Sequence, residues 1–286
     1  MIIWLASFPR SGNTLLRTVL KQTMGLGSFN DDLMKIRFTE ATTEEIGHLP
    51  MAEPWESFYE SASASKELHL VKTHRPPRDD QRAIYVVRDG RRSLVSYQKY
   101  HEKFLGEQAL SQMALVMGSD YYGDWSEHYQ DWVSSGRNTL LVRYEDLVNA
   151  APDLLQTIAK FIGYQGPISE WANPFGGFHQ ENPDFFRVGE VRWQGAPGWS
   201  ELIDSVFFYL HGNLMNSLGY VDKATFEAAR ASLAPEVIEL VQIARSIRIQ
   251  KKTFEEICRE RLSVIHVLDA EVKRLSSINS KPGHTP

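Results

Sequence analysis

The chain has 286 residues, of which 42% are hydrophobic and 23% are charged, as in an average soluble globular protein. Its net charge of −5 excludes a general nucleic-acid coat protein, and its single cysteine, Cys258, excludes an intramolecular disulfide. The apolar start at Met1–Leu5 reaches Arg10 too soon for a signal-peptide core, and no apolar run approaches the ~20 residues that cross a bilayer. We therefore expect a cytoplasmic protein without an integral membrane segment.

Short apolar runs alternate with helical patterns along much of the chain. Ile2–Ser7 is predicted to be a buried strand that ends in a turn, and the apolar residues after Gly12 recur at helical spacing. The further predicted elements are strands at Leu68–Thr73, Ala83–Val87 and Thr139–Arg143, and helices at Asp89–Phe104, Tyr122–Val133 and Leu154–Ile162. This alternation predicts an α/β fold in which a central, mainly parallel sheet carries helices on both faces.

The remaining stretches differ in character. Asn30–Ala64 is polar and interrupted by prolines, so we expect loops and short helices there. Asn173–Trp199 is rich in glycine, proline and aromatic residues and is too long for an ordinary connection, which is typical of a lid or a binding segment. From Lys223 onward the sequence is charged and favours helix. We therefore divide the chain into a domain at 1–220 and a helical C-terminal extension at 221–286.

The extension carries two apolar stripes at helical spacing. Their members are Val237, Leu240, Val241, Ala244 and Ile247, followed by Phe254, Ile257, Leu262, Ile265 and Leu268. The favoured interpretation is that both stripes pack on the protein core. The alternatives are a contact in a homodimer or a cover over an acceptor site, and the nearby basic residues are interpreted as a solvated face rather than as a membrane anchor.

The segment Phe8–Thr14 joins the first predicted strand to the first predicted helix. In such a loop the backbone N–H groups point outward at an anion, and Gly12 permits its close approach. The polar side chains of the loop belong to Arg10, Ser11, Asn13 and Thr14. Asn13 stands where the phosphate loop of a nucleoside triphosphatase has its lysine, so the loop is not of that type. Taken alone, it fits an ordinary strand–helix turn equally well.

Basic residues end the next two predicted strands. Lys72 and His74 are two residues apart on a strand, so their side chains share one side, at the sheet edge where ligands of such folds collect. A histidine there suits a general base, although a surface histidine is the ordinary alternative. Arg88 ends the third strand, and Ser96 lies about two turns into the helix that Asp89 caps. Arg88 and Ser96 together could hold a second phosphate.

Five segments, in this order, resemble the sulfotransferase family that uses 3'-phosphoadenosine 5'-phosphosulfate (PAPS) as its donor. They are Phe8–Leu16, Lys72–His74, Tyr85–Tyr97, Arg143–Leu147 and Phe186–Trp193, which are similar to the family's Tyr-Pro-Lys-Ser-Gly-Thr-Thr-Trp, Lys-Thr-His, 3'-phosphate, Tyr-Glu-Asp and Arg-Lys-Gly segments. The resemblance extends over about Ile2–Tyr220. Each segment alone is a weak signal, and their common order makes the signal strong.

The resemblance implies a role for each matched residue. His74 would be the catalytic base, while Lys72 and Arg10 would stabilise the leaving phosphate. The implied donor contacts are the loop residues Arg10–Thr14 for the 5'-phosphosulfate, Arg88 and Ser96 for the 3'-phosphate, Tyr144 near adenine, and Arg187 with Gly189 closing over the 3'-phosphate. The implied reaction transfers a sulfuryl group to the hydroxyl of a small molecule, sugar or lipid-like alcohol. It yields adenosine 3',5'-bisphosphate and uses neither a metal nor nucleic acid.

Three residues depart from the family pattern. Arg10 replaces a lysine and keeps its charge, but its planar guanidinium has a different geometry. Leu15 replaces the tryptophan that stacks on adenine in many members. Val188 replaces a phosphate-binding lysine, for which Arg192 is a nearby substitute.

Two other classes of protein fit part of the sequence. A phosphate-loop kinase or nucleoside triphosphatase shares the strand–loop–helix, and the missing lysine argues against it. A noncatalytic nucleotide-binding protein on the same fold is the other, since a fold does not guarantee chemistry. The presence of both Lys72 and His74 argues against that class, because a pure binding protein needs no base.

Overall fold

A computed structural model of the chain describes residues 1–31, 39–134, 136–183, 186 and 192–279. Its strands are β1 (Ile2–Ser7), β2 (Phe29–Asn30), β3 (His69–Thr73), β4 (Ala83–Val87) and β5 (Thr139–Arg143). All pair in parallel, in the order β2-β3-β1-β4-β5. The predicted α/β fold with a mainly parallel sheet is therefore confirmed. β1, β4 and β5 have the predicted bounds, β3 begins one residue later than predicted, and the short edge strand β2 was not predicted.

Helices connect the strands and follow the last one. They are α1 (Asn13–Met24), α2 (Glu40–Glu45), α3 (Trp55–Ala64), α4 (Gly90–Phe104), α5 (Gln112–Val116), α6 (Trp125–Tyr129), α7 (Tyr144–Asn149), α8 (Pro152–Ile162), α9 (Phe175–Glu181), α10 (Glu201–Ser217), α11 (Lys223–Ala231) and α12 (Pro235–Asn279). A 3-10 turn at Gly106–Gln108 and a π-helical turn at Gln130–Ser134 complete the described elements. The helix predicted at Tyr122–Val133 is thus divided into α6 and the π-helical turn. Among the described residues, no helix is both long and apolar enough to span a membrane.

The two faces of the sheet bury different side chains because successive strand residues point to opposite sides. Ile3 and Leu5 of β1 belong to an aliphatic core with the buried face of α1 and with α8. Trp4 lies between them in sequence and packs on the other face, where its ring centroid is 6.1 Å from that of Trp55 and 6.4 Å from that of Trp132. Helices therefore cover both faces, as predicted.

The chain divides into two compact units, Met1–Leu233 and Ala234–Pro286. The described part of the second unit is essentially α12. In this helix Val241 is buried, whereas the side chains of Leu240, Ile247 and Phe254 are 65%, 60% and 67% exposed. Within the second unit no other described element covers these residues, and the expectation that both apolar stripes pack on the protein core stays a prediction. The sequence-based boundary at residue 220 stays a prediction.

Candidate active site

Gly12 and Asn13 fix the loop between β1 and α1. Gly12 has a φ of 112°, and a Cβ at this position would lie 2.6 Å from Cδ2 of Tyr144, so only glycine fits against this ring without displacing it. The Asn13 Nδ2 donates a 2.7 Å hydrogen bond to the carbonyl oxygen of Leu5, which fastens the start of α1 to β1. Asn13 and Thr14 are the first two residues of α1, where backbone N–H groups lack intrahelical acceptors.

The structure brings the two predicted phosphate-binding regions into direct contact. The Arg88 Nη1 donates to the carbonyl oxygen of Arg10 at 3.2 Å, and the Arg10 Nε donates to the Ser96 hydroxyl at 3.3 Å. The hydroxyls of Ser11 and Ser93 lie 3.0 Å apart, which joins the same loop to the same helix, α4. Arg10 reaches Ser96 from a left-handed backbone conformation with a φ of 64°. Its side chain therefore lies on the side of the loop that faces α4.

Arg88 is a buried cation, and not all of its hydrogen-bond donors are satisfied. Its side chain is 6% exposed, its Cζ lies 4.1 Å from the centre of the Tyr144 ring, and burial lowers its pKa from the ordinary arginine value. The Arg88 Nε is buried and has no hydrogen-bond partner among the described residues. Buried polar groups are normally satisfied, so this guanidinium fits an anionic ligand that would complete its hydrogen bonds.

His74 follows β3 and is held next to the loop. Its Nδ1 lies 2.7 Å from the carbonyl oxygen of Ser7, the last residue of β1. A carbonyl oxygen can only accept, so Nδ1 carries the proton and the neutral ring keeps its lone pair on Nε2. Lys72, two residues earlier, is paired in register with Leu5 and is 6% exposed. Thr73 between them donates to Asp31, and the alternation of strand residues predicts that the Lys72 and His74 side chains project to the opposite side.

His128 is a second histidine of the site, which the sequence analysis missed. Its Nε2 donates to the carbonyl oxygen of His74 at 2.8 Å, so its Nδ1 accepts from the hydroxyl of Tyr85 at 2.9 Å. Desolvation by burial lowers the pKa of His128 to about 4, against an ordinary value of 6.5, and the hydrogen bond to His74 partly opposes this shift. The buried, neutral His128 ring therefore positions the backbone of His74.

Acidification is expected to destabilise the protein through His128. The unfolded chain takes up a proton on this histidine near pH 6.5 and the folded chain only near pH 4, so the stability is complete above 6.5 and falls as the pH drops toward 4. The expected loss is about 3 kcal/mol in the free energy of unfolding. Urea unfolding at several pH values in this window measures it. His128→Gln keeps a donor and an acceptor without a titrating group. It should reduce the slope of the free energy of unfolding against pH by the equivalent of about one proton, and an unchanged slope would contradict the assignment.

Asp89 and Arg91 pair with each other at the start of α4. The Asp89 carboxylate accepts from the backbone N–H of Arg91 at 2.9 Å, which confirms the predicted N-cap. Arg91 is buried rather than solvated, since it is 7% exposed and forms a 2.9 Å ion pair with Asp89. Its guanidinium lies 3.9 Å from the centre of the Trp193 ring. A tryptophan of the late segment thus covers the beginning of α4.

The late segment itself is only partly described. Phe186 is buried, and its ring centroid lies 5.0 Å from that of Phe178, whereas Arg192 is exposed. Arg187 and Gly189 lie outside the described residues, so their predicted contacts with the donor stay predictions. Within the described part of the chain, no three or more histidine, cysteine, aspartate or glutamate side chains are grouped so that they could hold a metal ion.

A parallel α/β sheet with a glycine-containing loop after its first strand defines a large class of proteins, and comparison with known families narrows it. The sulfotransferase domain model matches residues 2–173, and the chain belongs to this family. The match includes the Phe8–Thr14 loop, Lys72, His74 and the Arg88–Ser96 region, and it ends before the late segment.

Individual relatives are more distant. Human and mouse sulfotransferase 4A1 are each 24% identical to the chain over 176 residues, which cover 56% of this chain and 59% of theirs. The chain thus spans somewhat less than two thirds of the length of these relatives. The crystal structure of mouse sulfotransferase SULT7A1 complexed with PAP superimposes with a TM-score of 0.54 at 17% identity, covering 80% of this chain and 87% of that one. At this level of identity the similarity establishes a shared fold.

Proposed function

We propose that the protein transfers a sulfuryl group from PAPS to the hydroxyl group of an acceptor. The observation that carries the proposal is the contact between the two candidate phosphate-binding regions, Arg10 to Ser96 and Arg88 to Arg10, beside a histidine whose Nδ1 is bonded to the Ser7 carbonyl. Two anionic groups of one nucleotide could be held there next to one base. Membership of the sulfotransferase family and the PAP complex of the structurally similar mouse enzyme support it.

The proposed donor site uses both regions. The N–H groups at the start of α1 and the short side chains Ser11, Asn13 and Thr14 would bind the 5'-phosphosulfate. Arg88 and Ser96 would bind the 3'-phosphate, which would satisfy the buried Arg88 Nε. Tyr144, whose ring contacts Gly12 and lies over Arg88, would border the adenosine, and Arg187 with Gly189 would close over the 3'-phosphate. The product that leaves this site is adenosine 3',5'-bisphosphate.

In the proposed transfer, the acceptor oxygen attacks sulfur in line with the bond between sulfur and the phosphate oxygen. The acceptor proton passes to Nε2 of His74 as the new oxygen–sulfur bond forms, and the leaving phosphate takes the electron pair of the bond that breaks. Lys72 and the loop N–H groups stabilise most of the charge that develops on that phosphate, with a smaller contribution from Arg10. Fixed cations and amides suffice for this step, so we propose a reaction without a metal. We also propose that it takes place in the cytoplasm.

Transfer of the sulfuryl group can be measured directly. The full chain is incubated with sulfur-35 PAPS and a panel of phenols, sugars and lipid-like alcohols, and labelled acceptor is separated from donor. We expect transfer to at least one acceptor, without added magnesium. Adenosine 5'-phosphosulfate, which lacks the 3'-phosphate, should support at least ~10-fold less transfer, because one charge-assisted contact contributes about 1.5–3 kcal/mol.

Arg88→Ala serves as the matched variant in this assay. It should remove most of the preference for PAPS over adenosine 5'-phosphosulfate, since Arg88 would read only the group in which the two donors differ. Magnesium-dependent ATP turnover without sulfuryl transfer would instead identify a kinase or nucleoside triphosphatase. Tight binding of adenosine 3',5'-bisphosphate without transfer to any acceptor would identify a noncatalytic nucleotide-binding protein.

A further inference from the structure

The C-terminal helix α12 exposes far more apolar surface than the rest of the described chain. It has 45 residues, which corresponds to a length of roughly 67 Å. Twelve of its large apolar side chains are between 41% and 67% exposed. Helices in water obtain most of their stability from packing an apolar face, and a soluble monomer rarely exposes a continuous apolar patch of this size. Within its own unit α12 has no other described helix or strand to cover it, so we expect another surface to cover it in solution.

The exposed residues of α12 follow a seven-residue repeat. When Leu240 is assigned position a of the repeat abcdefg, positions a, d and e contain nine of the twelve residues. These nine are Leu240, Ile243, Ile247, Phe254, Ile257, Val264, Ile265, Leu268 and Val272, and we call them the α12 stripe. The other three are Ile249, Leu262 and Val267, at positions c, b and g. A stripe of three positions in seven is the pattern of a helix that packs against other helices.

We infer that the α12 stripe binds the α12 stripe of a second copy of the chain. Nine half-exposed side chains, at on the order of 100 Å² each, present about 900 Å², close to the ~800 Å² per partner of a standard protein interface. Charge argues against a lipid surface as the partner. Residues 235–279 contain eight lysines and arginines and seven aspartates and glutamates, a net charge of 8 − 7 = +1, whereas helices that bind anionic membranes are strongly basic on their polar face.

Polar residues within the repeat indicate that the two helices are antiparallel. Between Leu240 and Val272, the polar residues at these positions are Gln250 and Glu271 at d, Lys251 at e and Arg261 at a. In a parallel pair in register, Arg261 would face its own counterpart, and two like charges would meet in the interface. In an antiparallel pair centred at residues 255–256, Arg261 instead faces Gln250. The same register pairs Ile243 with Leu268, Ile247 with Val264 and Phe254 with Ile257, and it places Leu240 opposite Glu271 at each end of the pair.

Two matched double variants of the full chain test the inference. Ile247→Glu with Leu268→Glu places charges in the stripe, whereas Ile249→Glu with Leu262→Glu places the same charges at exposed positions outside it. Size-exclusion chromatography with light scattering should give about twice the 32.7 kDa chain mass for the wild type and for the second variant, and one chain mass for the first. Thermal unfolding followed by circular dichroism verifies that the rest of the chain remains folded in both variants. A monomeric wild type, or an equal effect of the two variants, would overturn the inference.

The orientation and the alternative partner are tested separately. A spin label at Ser246→Cys, in a Cys258→Ser background, should lie about 30 Å from its counterpart in the antiparallel pair, against roughly 10–20 Å in a parallel pair. The shorter distance would overturn the antiparallel arrangement. Binding to vesicles that contain phosphatidylserine tests whether the partner of the stripe is a lipid surface. A wild-type chain that remains monomeric and binds these vesicles, with binding lost in the stripe variant, would show that the stripe faces lipid instead.

Discussion

Replacing His74 with alanine is expected to lower kcat for sulfuryl transfer by about 10²–10⁴-fold. The acceptor hydroxyl must lose its proton as it attacks, and Nε2 of His74 is the proposed proton acceptor because Nδ1 already donates to the Ser7 carbonyl oxygen. The affinity for adenosine 3',5'-bisphosphate should change little, since the ring is proposed to contact the acceptor and not the nucleotide. Single-turnover transfer with saturating PAPS measures the first quantity, and calorimetric titration of the product measures the second.

His69→Ala is the matched control for this prediction. His69 begins the strand that His74 follows, and its Nδ1 lies 3.0 Å from the carbonyl oxygen of Glu67, away from the loop. The control should retain both turnover and nucleotide binding. If His74→Ala turns over at the wild-type rate, His74 is not the base; if it loses nucleotide affinity as severely as turnover, its role is structural.

The sequence predicted the strands of the sheet well because each has a strong local signal. Ile2–Ser7 and Ala83–Val87 are apolar runs closed by turn or charged residues, and both were found with the predicted bounds. β2 has only two residues and lies at the sheet edge, where it pairs with β3 alone, so no local pattern distinguishes it from a loop. The division of the predicted Tyr122–Val133 helix was also missed, since a π-helical turn changes the backbone without changing the apolar pattern.

The site was predicted where its residues end strands and missed where it depends on contacts between distant segments. Lys72, His74 and Arg88 could be placed at one sheet edge because parallel strands end together. The hydrogen bond from His128 to the backbone of His74 joins residues 54 positions apart, and no spacing rule indicates it. One signal was available for Arg91, because it follows Asp89 by two residues at a helix start, where an acidic cap and a basic side chain can pair.

The C-terminal helix shows the limit of periodicity as a signal. An apolar stripe indicates that a face will be buried, but not which surface buries it. Packing on the protein's own core and packing on a second chain require the same spacing of residues. The oligomeric state in solution distinguishes them, because only packing on a second chain makes dimer formation depend on residues of the α12 stripe such as Phe254 and Leu268.

Lys72 and Arg10 are expected to have different roles, although the family resemblance implies that both stabilise the leaving phosphate. The Arg10 Nε donates to Ser96, which belongs to the proposed 3'-phosphate site, and its Cζ lies 5.7 Å from the centre of the Tyr100 ring on the same helix. Lys72 is buried on β3 in register with Leu5 and precedes His74 by two residues. We therefore expect Lys72 to carry most of the stabilisation of the leaving group, and Arg10 to contribute mainly to recognition of the 3'-phosphate.

Substitution of each cation by methionine tests this division, because methionine keeps much of the side-chain volume and removes the charge. Lys72→Met should lower single-turnover transfer by about 10²–10³-fold, the usual cost of removing one group that stabilises developing charge. Arg10→Met should cost about 10-fold or less in turnover but should reduce the preference for adenosine 3',5'-bisphosphate over adenosine 5'-monophosphate, measured as a ratio of Kd values. Because both substitutions remove one positive charge beside the same nucleotide, a general electrostatic effect would change turnover and preference equally in the two variants. That result, or a larger loss of turnover in Arg10→Met than in Lys72→Met, would contradict the division. Arg10 would then stabilise the leaving phosphate like the lysine that it replaces in the family pattern.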